Sequence, residues 1–177
     1  MLVQRLLAPA ALGEVLPHLQ NDATGRPFLA GPGPVPAVSL SHSGEWVAAL
    51  LAPPGTAVGI DVEAVRDKAL RLASKFLNAD ELAAIETIRP AQRLAPTAAT
   101  SELFSRLWSA KETLYKLAGQ RGLIFRQHLL LDLPPSPWPA AGELPARLVR
   151  GGAISRHRIC YFQPAAGYVL TYCYAFS

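Results

Sequence analysis

Cysteine, lysine and charge are all scarce in this chain of 177 residues. Its two cysteines, Cys160 and Cys173, cannot form a disulfide framework and match no zinc-ligand spacing. Both lie in apolar, strand-like runs, as small buried side chains do. No apolar stretch approaches the length of a transmembrane helix. The opening MLVQRLLAPAALGE has one Arg and a short apolar stretch, where a signal peptide has a more basic start and a longer apolar core. These absences lead us to expect a cytoplasmic protein without a membrane span. Charged residues make up 17% of the chain and hydrophobic ones 50%, which excludes intrinsic disorder.

The balance of charge is +4, with a pI near 9.3. The excess is modest and spread out. It favours an anionic partner, but basic and aromatic residues are not interleaved as in a nucleic-acid binder. Arginine outnumbers lysine 13 to 4, yet Lys111 and Lys116 fall within six residues of each other. In a composition so weighted to Arg, such a pair points to a site that uses a compact point charge.

Periodicity divides the chain. Residues 1–20 read as a short helix or extended arm, 21–27 as a turn, and GPGPVP at 31–36 as irregular. Strands are expected at 38–42, 46–51 and 58–63. In the last of these, Val58, Ile60 and Val62 share one face, and Gly59, Asp61 and Glu63 the other. Helices follow at 67–77, at 78–88 with a capping box between Asn78 and Glu81, and at 101–118, ended by Gly119 and Gly122. Arg89-Pro90 would break the second helix. Strands return at 129–133, 146–150, 158–163 and 168–176, with a loop at 134–139 and a hairpin across 164–167. This order predicts an α+β fold.

Four segments carry chemistry. In GIDVE at 59–63 two carboxylates point the same way from a strand, which calls for a cation between them. Mg²⁺ takes one or two protein carboxylates and leaves its other positions to water and phosphate. In WSAKETLYK at 108–116, Trp108, Glu112 and Lys116 share a helix face, adding a third carboxylate and a charge for phosphate. SLSHSG at 39–44 offers three hydroxyls and an imidazole beside a turn, which read as a phosphate cradle. GRPF at 25–28 holds Arg26 next to a rigid Pro. Taken alone, each has a plain structural alternative: an acidic strand face, an exposed Glu–Lys pair with Trp108 in the core, a polar strand end, a surface arginine.

In this order, GRP at 25–27, SLSHS at 39–43, GIDVE at 59–63, FLNADE at 76–81 and WSAKETLYK at 108–116 resemble the Sfp-type 4′-phosphopantetheinyl transferases across roughly residues 24–133. GQRGL at 119–123 is similar to that family's G-x-G-L turn, with one extra residue. The resemblance implies an enzyme that transfers the 4′-phosphopantetheine arm of coenzyme A to a serine of an acyl or peptidyl carrier protein. It implies Mg²⁺ held by Asp61, Glu63 and Glu112, with coenzyme A as substrate. Glu112 would help deprotonate the carrier serine. Lys111 and Lys116 would face the pyrophosphate, and Arg26, Ser41 and His42 would bind a coenzyme A phosphate, the 3′-phosphate.

The resemblance further implies two unequal lobes, a reduced N-terminal one at 1–57 and a C-terminal one at 58–177 with the metal site and helix 101–118. Only 24 residues precede GRP, and Arg5 is their one strong cation, so fewer basic residues are on hand to clamp the nucleotide. Lys68, Arg71 and Lys75, expected on one helix face after the carboxylate strand, are candidates to dock an acidic carrier. A magnesium phosphohydrolase built on the same carboxylates, and a non-catalytic homologue that binds coenzyme A or the carrier, are the alternatives.

Overall fold

The computed structural model describes residue 2 and residues 17–88, 97–134 and 138–176. The expectations for an N-terminal helix or arm before residue 17 and for a helix break at Arg89-Pro90 lie outside the described residues. Among those described, no helix is long and apolar enough to cross a membrane.

The fold is α+β. Two hairpins come first: β1 (His18–Asn21) with β2 (Pro27–Ala30), then β3 (Ala37–Ser43) with β4 (Trp46–Ala52). Strand β5 (Ala57–Ala64) follows. Next come the short helices α1 (Asp67–Arg71) and α2 (Ala73–Phe76), then α3 (Ala79–Ile88) and the long α4 (Ala98–Ala118). A single turn, α5 (Phe125–His128), leads into β6 (Leu129–Leu131), β7 (Gly142–Arg150), β8 (Ala153–Phe162) and β9 (Tyr168–Ala175). The main sheet has the order β5-β9-β8-β7-β6, with every pair antiparallel.

Helix α4 lies across one face of this sheet. Phe104, Leu107, Ala110, Leu114 and Leu117 recur at steps of three and four and are buried, packing against Leu129, Leu144, Leu148, Ile159 and Cys173. The helix starts three residues before the expected Ser101 because the Thr97 hydroxyl caps it, accepting the Thr100 N–H at 3.2 Å. It ends where Gly119 takes a left-handed φ of 61°. The capping box of α3 is present: the Asn78 side chain accepts from the Glu81 N–H and the Glu81 carboxylate from the Asn78 N–H, both at 2.8 Å.

On the other side of β5 the connection is unusual. The period-two spacing of Ser39, Ser41 and Ser43 puts their hydroxyls on one face of β3, where they accept the N–H groups of Ile60, Val62 and Ala64 at 3.1, 3.2 and 3.0 Å. Side chains stand in for a backbone ladder and fasten the second hairpin to the sheet. Ile60 and Val62 pack beneath it with Ala48 and Leu170.

Three expectations need adjustment. The helix expected at 67–77 breaks at Leu72, whose φ of −100° and ψ of 5° leave the helical run. Strands β7 and β8 extend to a tight turn at Gly151 and Gly152 and begin four and five residues earlier than expected; polar residues such as Glu143, Arg156 and Arg158 mask the alternation there. The turn at 21–27 is flanked by strands that composition did not mark.

Gly59 shows why α4 sits so close. A Cβ at this position would overlap the Thr113 carbonyl oxygen and stand 2.9 Å from the Leu117 N. Both atoms are helix backbone and cannot swing aside. Gly59→Ala should therefore destabilise the fold by about 1–3 kcal/mol, measured as a lower urea midpoint with an unchanged m-value.

Candidate active site

The seam between β5 and α4 gathers the acidic residues. Asp61 lies on the α4 side of β5 and is 4% exposed. Its Oδ1 accepts from the Ser41 hydroxyl and from Lys116 Nζ, each at 2.8 Å. Its Oδ2 is buried and has no hydrogen-bond partner. Lys116 also donates to the Ile60 carbonyl at 3.0 Å. One step along the strand, Glu63 accepts from Trp108 Nε1 at 2.9 Å and from the Ser43 hydroxyl at 3.2 Å. The Trp108 indole is itself held edge-on to Phe76 and stacked on Phe125. Glu112 projects from the same helix face one turn after Trp108 and makes no hydrogen bond among the described residues.

Electrostatics couple the three carboxylates. Burial, then repulsion from Asp61, raises the carboxyl of Glu63 above its usual range. Glu112 is pushed up to about 7 by burial and by the charges of Asp61 and Glu63, against the pull of Lys116. One lysine therefore does not neutralise the group, and one buried oxygen of Asp61 is left without a hydrogen-bond partner. The donor set, all carboxylate oxygen, suits a hard ion such as Mg²⁺. No three acidic or imidazole groups among the described residues converge as a formed metal cluster.

Two clefts flank this seam. One, of about 260 Å³, is lined by Arg26, Ser39, Tyr115, Lys116, Gly119 and Arg121 among others. The other, of about 370 Å³, is lined by Ser43, Glu63, Arg66, Lys68, Leu72 and Trp108 among others. Both clefts are lined by basic residues; the first meets the carboxylate group through Lys116, which pairs with Asp61, and the second through Glu63.

The candidate residues divide accordingly. Asp61, Glu63, Glu112 and Lys116 come together, and Arg26 opens onto the first cleft. Ser41 faces Asp61 and the strand backbone. His42 is exposed on the opposite face of β3 and lines neither cleft. Lys111 is fully buried and points elsewhere: its Nζ pairs with Glu81 at 2.7 Å and donates to the Phe125 carbonyl at 3.3 Å. Glu81 in turn accepts the Leu131 N–H, so this pair joins α3, α4 and β6. The clustering of two lysines therefore reflected one site residue and one core ion pair, which lie on different sides of α4. Sequence reasoning missed the hold of Trp108 and Ser43 on Glu63, and it missed Arg121.

A buried carboxylate group beside a lysine, with Arg26 and Arg121 lining one cleft and Arg66 and Lys68 the other, is a charge pattern suited to phosphate ligands. The model of the 4′-phosphopantetheinyl transferase superfamily matches residues 57–173, and the chain belongs to that superfamily. It is 34% identical over 121 residues to the 4′-phosphopantetheinyl transferase AcpT of Salmonella typhimurium, covering 67% of this chain and 55% of that protein. It is 38% identical over 82 residues to the 4′-phosphopantetheinyl transferase psf-1 of Bacillus pumilus, covering 46% of this chain and 31% of the other. A 4′-phosphopantetheinyl transferase of Bacillus subtilis is 29% identical over 82 residues, covering 46% and 33%. The matches thus span about half or less of these relatives' lengths.

The shift of Glu112 has a measurable consequence. Between about pH 4.5 and 7 the folded, metal-free chain keeps a proton on Glu112 that the unfolded chain has lost. Stability should then fall as pH rises through that window. Chemical unfolding in the presence of a chelator should show this slope, and Glu112→Gln should flatten it.

Proposed function

We propose that this chain transfers the 4′-phosphopantetheine arm of coenzyme A to a serine of a carrier protein, with Mg²⁺, releasing 3′,5′-adenosine bisphosphate. The observation that carries this reading is the buried, unpartnered Asp61 Oδ2, set among coupled carboxylates between two basic clefts. Asp61, Glu63 and Glu112 would hold the metal, which when bound neutralises charge on the pyrophosphate. The arrangement supports one cleft for each substrate: coenzyme A beside Arg26 and Lys116, the acceptor beside Arg66 and Lys68.

The carrier serine oxygen attacks the β-phosphorus, and the bond from that phosphorus to the bridging oxygen breaks. Glu112, in its ionised form, takes the serine proton, directly or through water. Lys116 stabilises the charge that develops on the departing bridging oxygen. Ser41 orients Asp61 from β3, Arg26 forks onto the 3′-phosphate, and His42 would meet coenzyme A from the exposed face of β3. The Lys111–Glu81 pair holds α4 in place. We read residues 1–57 as a first lobe set against a second at 58–177, with the nucleotide at their junction.

Incubation with coenzyme A, Mg²⁺ and a panel of apo carriers, followed by intact mass, tests the reaction. The carrier should gain the phosphopantetheine mass. Release of adenosine bisphosphate with no mass gain would instead identify a phosphohydrolase. Asp61→Ala and Glu112→Gln should each abolish transfer while circular dichroism stays native; near wild-type turnover of either at saturating Mg²⁺ would overturn the metal assignment.

The acceptor side has its own test. Lys68 and Arg71 on α1 and Lys75 on α2 are exposed, and Lys68 lines the cleft that holds Glu63. The break at Leu72 removes the single continuous face expected for them, but the charge remains at the cleft mouth. An acidic carrier would be steered there. Charge reversal at Lys68 and Arg71 should raise the carrier KM, weaken its salt dependence, and leave the KM for coenzyme A alone. An unchanged carrier KM at low salt removes this surface from the docking site.

A further inference from the structure

The turn after α4, GQRGL at 119–123, has one residue more than the family's G-x-G-L turn and includes a cation, Arg121. Gly119 and Gly122, with φ of 61° and 80°, reverse the chain at the helix end. Between them Arg121 turns back toward the loop that carries Arg26, and its Nη2 donates to the Thr24 carbonyl. That loop is itself well built. The Asp22 carboxylate accepts from the Thr24 N–H at 2.7 Å, from the Thr24 hydroxyl at 2.6 Å and from the Arg26 N–H at 3.0 Å. The guanidinium of Arg26 rests against the helix end, where a Cβ on Gly119 would overlap Nη1.

Arg26, Arg121 and Lys116 therefore line one cleft of about 260 Å³ that no acidic side chain lines. Lys116 is paired with Asp61, but neither arginine forms a salt bridge among the described residues. Two guanidinium groups without acidic partners among the described residues, opening onto one small cleft, suit an anion with more than one charge and several acceptor oxygens. A phosphate monoester has both, and each arginine can meet it as a fork.

We propose that Arg121 binds the 3′-phosphate of coenzyme A together with Arg26. The assignment rests on the transferase reading above. Arg121 adds from the helix end a second guanidinium to the cleft that Arg26 lines. It is a substrate-binding residue and takes no part in bond breaking.

Calorimetric titration of the full chain with coenzyme A and with 3′-dephospho-coenzyme A tests this without turnover. Arg121→Ala should weaken coenzyme A binding about tenfold or more and leave the dephosphorylated ligand unaffected. Arg121→Lys, which keeps charge but loses the fork, should fall between. Arg121→Ala should also weaken coenzyme A further in an Arg26→Ala background. Equal weakening for both ligands, no weakening, or no further loss in that background, where Arg121 would act only through Arg26, each overturns the proposal. If Arg26→Ala also leaves coenzyme A binding unchanged, the cleft is not the coenzyme A site and the wider reading falls with it. If Arg26→Ala alone weakens binding, only the assignment of Arg121 falls.

Discussion

Carboxylates buried at one seam repel each other and miss water, and the structure around β5 is arranged to contain that cost. Asp61 is held by Lys116 and Ser41, and Glu63 by Trp108 and Ser43. Each pairing draws one partner from the helix and one from the hairpin, so β5 is clamped from both sides through its acidic residues. The clamp is incomplete. Asp61 Oδ2 has no partner, and burial together with repulsion from Asp61 pushes the Glu112 carboxyl up to about 7. A bound cation, as proposed above, would offset the charge that the protein alone leaves unbalanced.

Close approach is the second requirement. A lysine reaching from α4 to a strand carbonyl needs the helix against the sheet, and Gly59 permits it by presenting no side chain to the backbone around Thr113. Farther along α4 the buried Lys111–Glu81 pair ties the helix to α3 and β6. Removing either member would strand a charge in the core, so this pair contributes rigidity and registration more than net stability. Trp108, seated between Phe76 and Phe125, brings the same rigidity to the middle of the site.

The serines of β3 show one motif doing a different task from the one its composition suggests. Three hydroxyls near a turn read as a phosphate cradle. In the fold they complete the hydrogen bonding of β5, and two of them reach the carboxylates as well. A hydroxyl can do both, because it accepts with a lone pair while donating its one proton. The second hairpin thus belongs to the site through the carboxylates, and Ser41 reaches the chemistry through Asp61.

Much of this was legible in the sequence where the physics is local. The alternation of 58–63 set which carboxylates share a face, the three-and-four spacing of α4 set which residues enter the core, and Asn78 with Glu81 marked a helix start. Each depends only on the period of an element and on neighbours a few residues away. The ordered run of motifs was enough for the family, because so many spaced residues do not recur by chance. Which of two neighbouring lysines meets Asp61 and which meets Glu81 was decided by the tertiary structure alone. Lys111 and Lys116 leave the helix about 140° apart, at 100° per residue, and only the packing of the sheet on one side and α3 on the other gives those directions different partners. Arg121 likewise had no readable role until the fold set the end of α4 beside the Asp22–Arg26 turn, since a contact between residues 97 positions apart has no local signature.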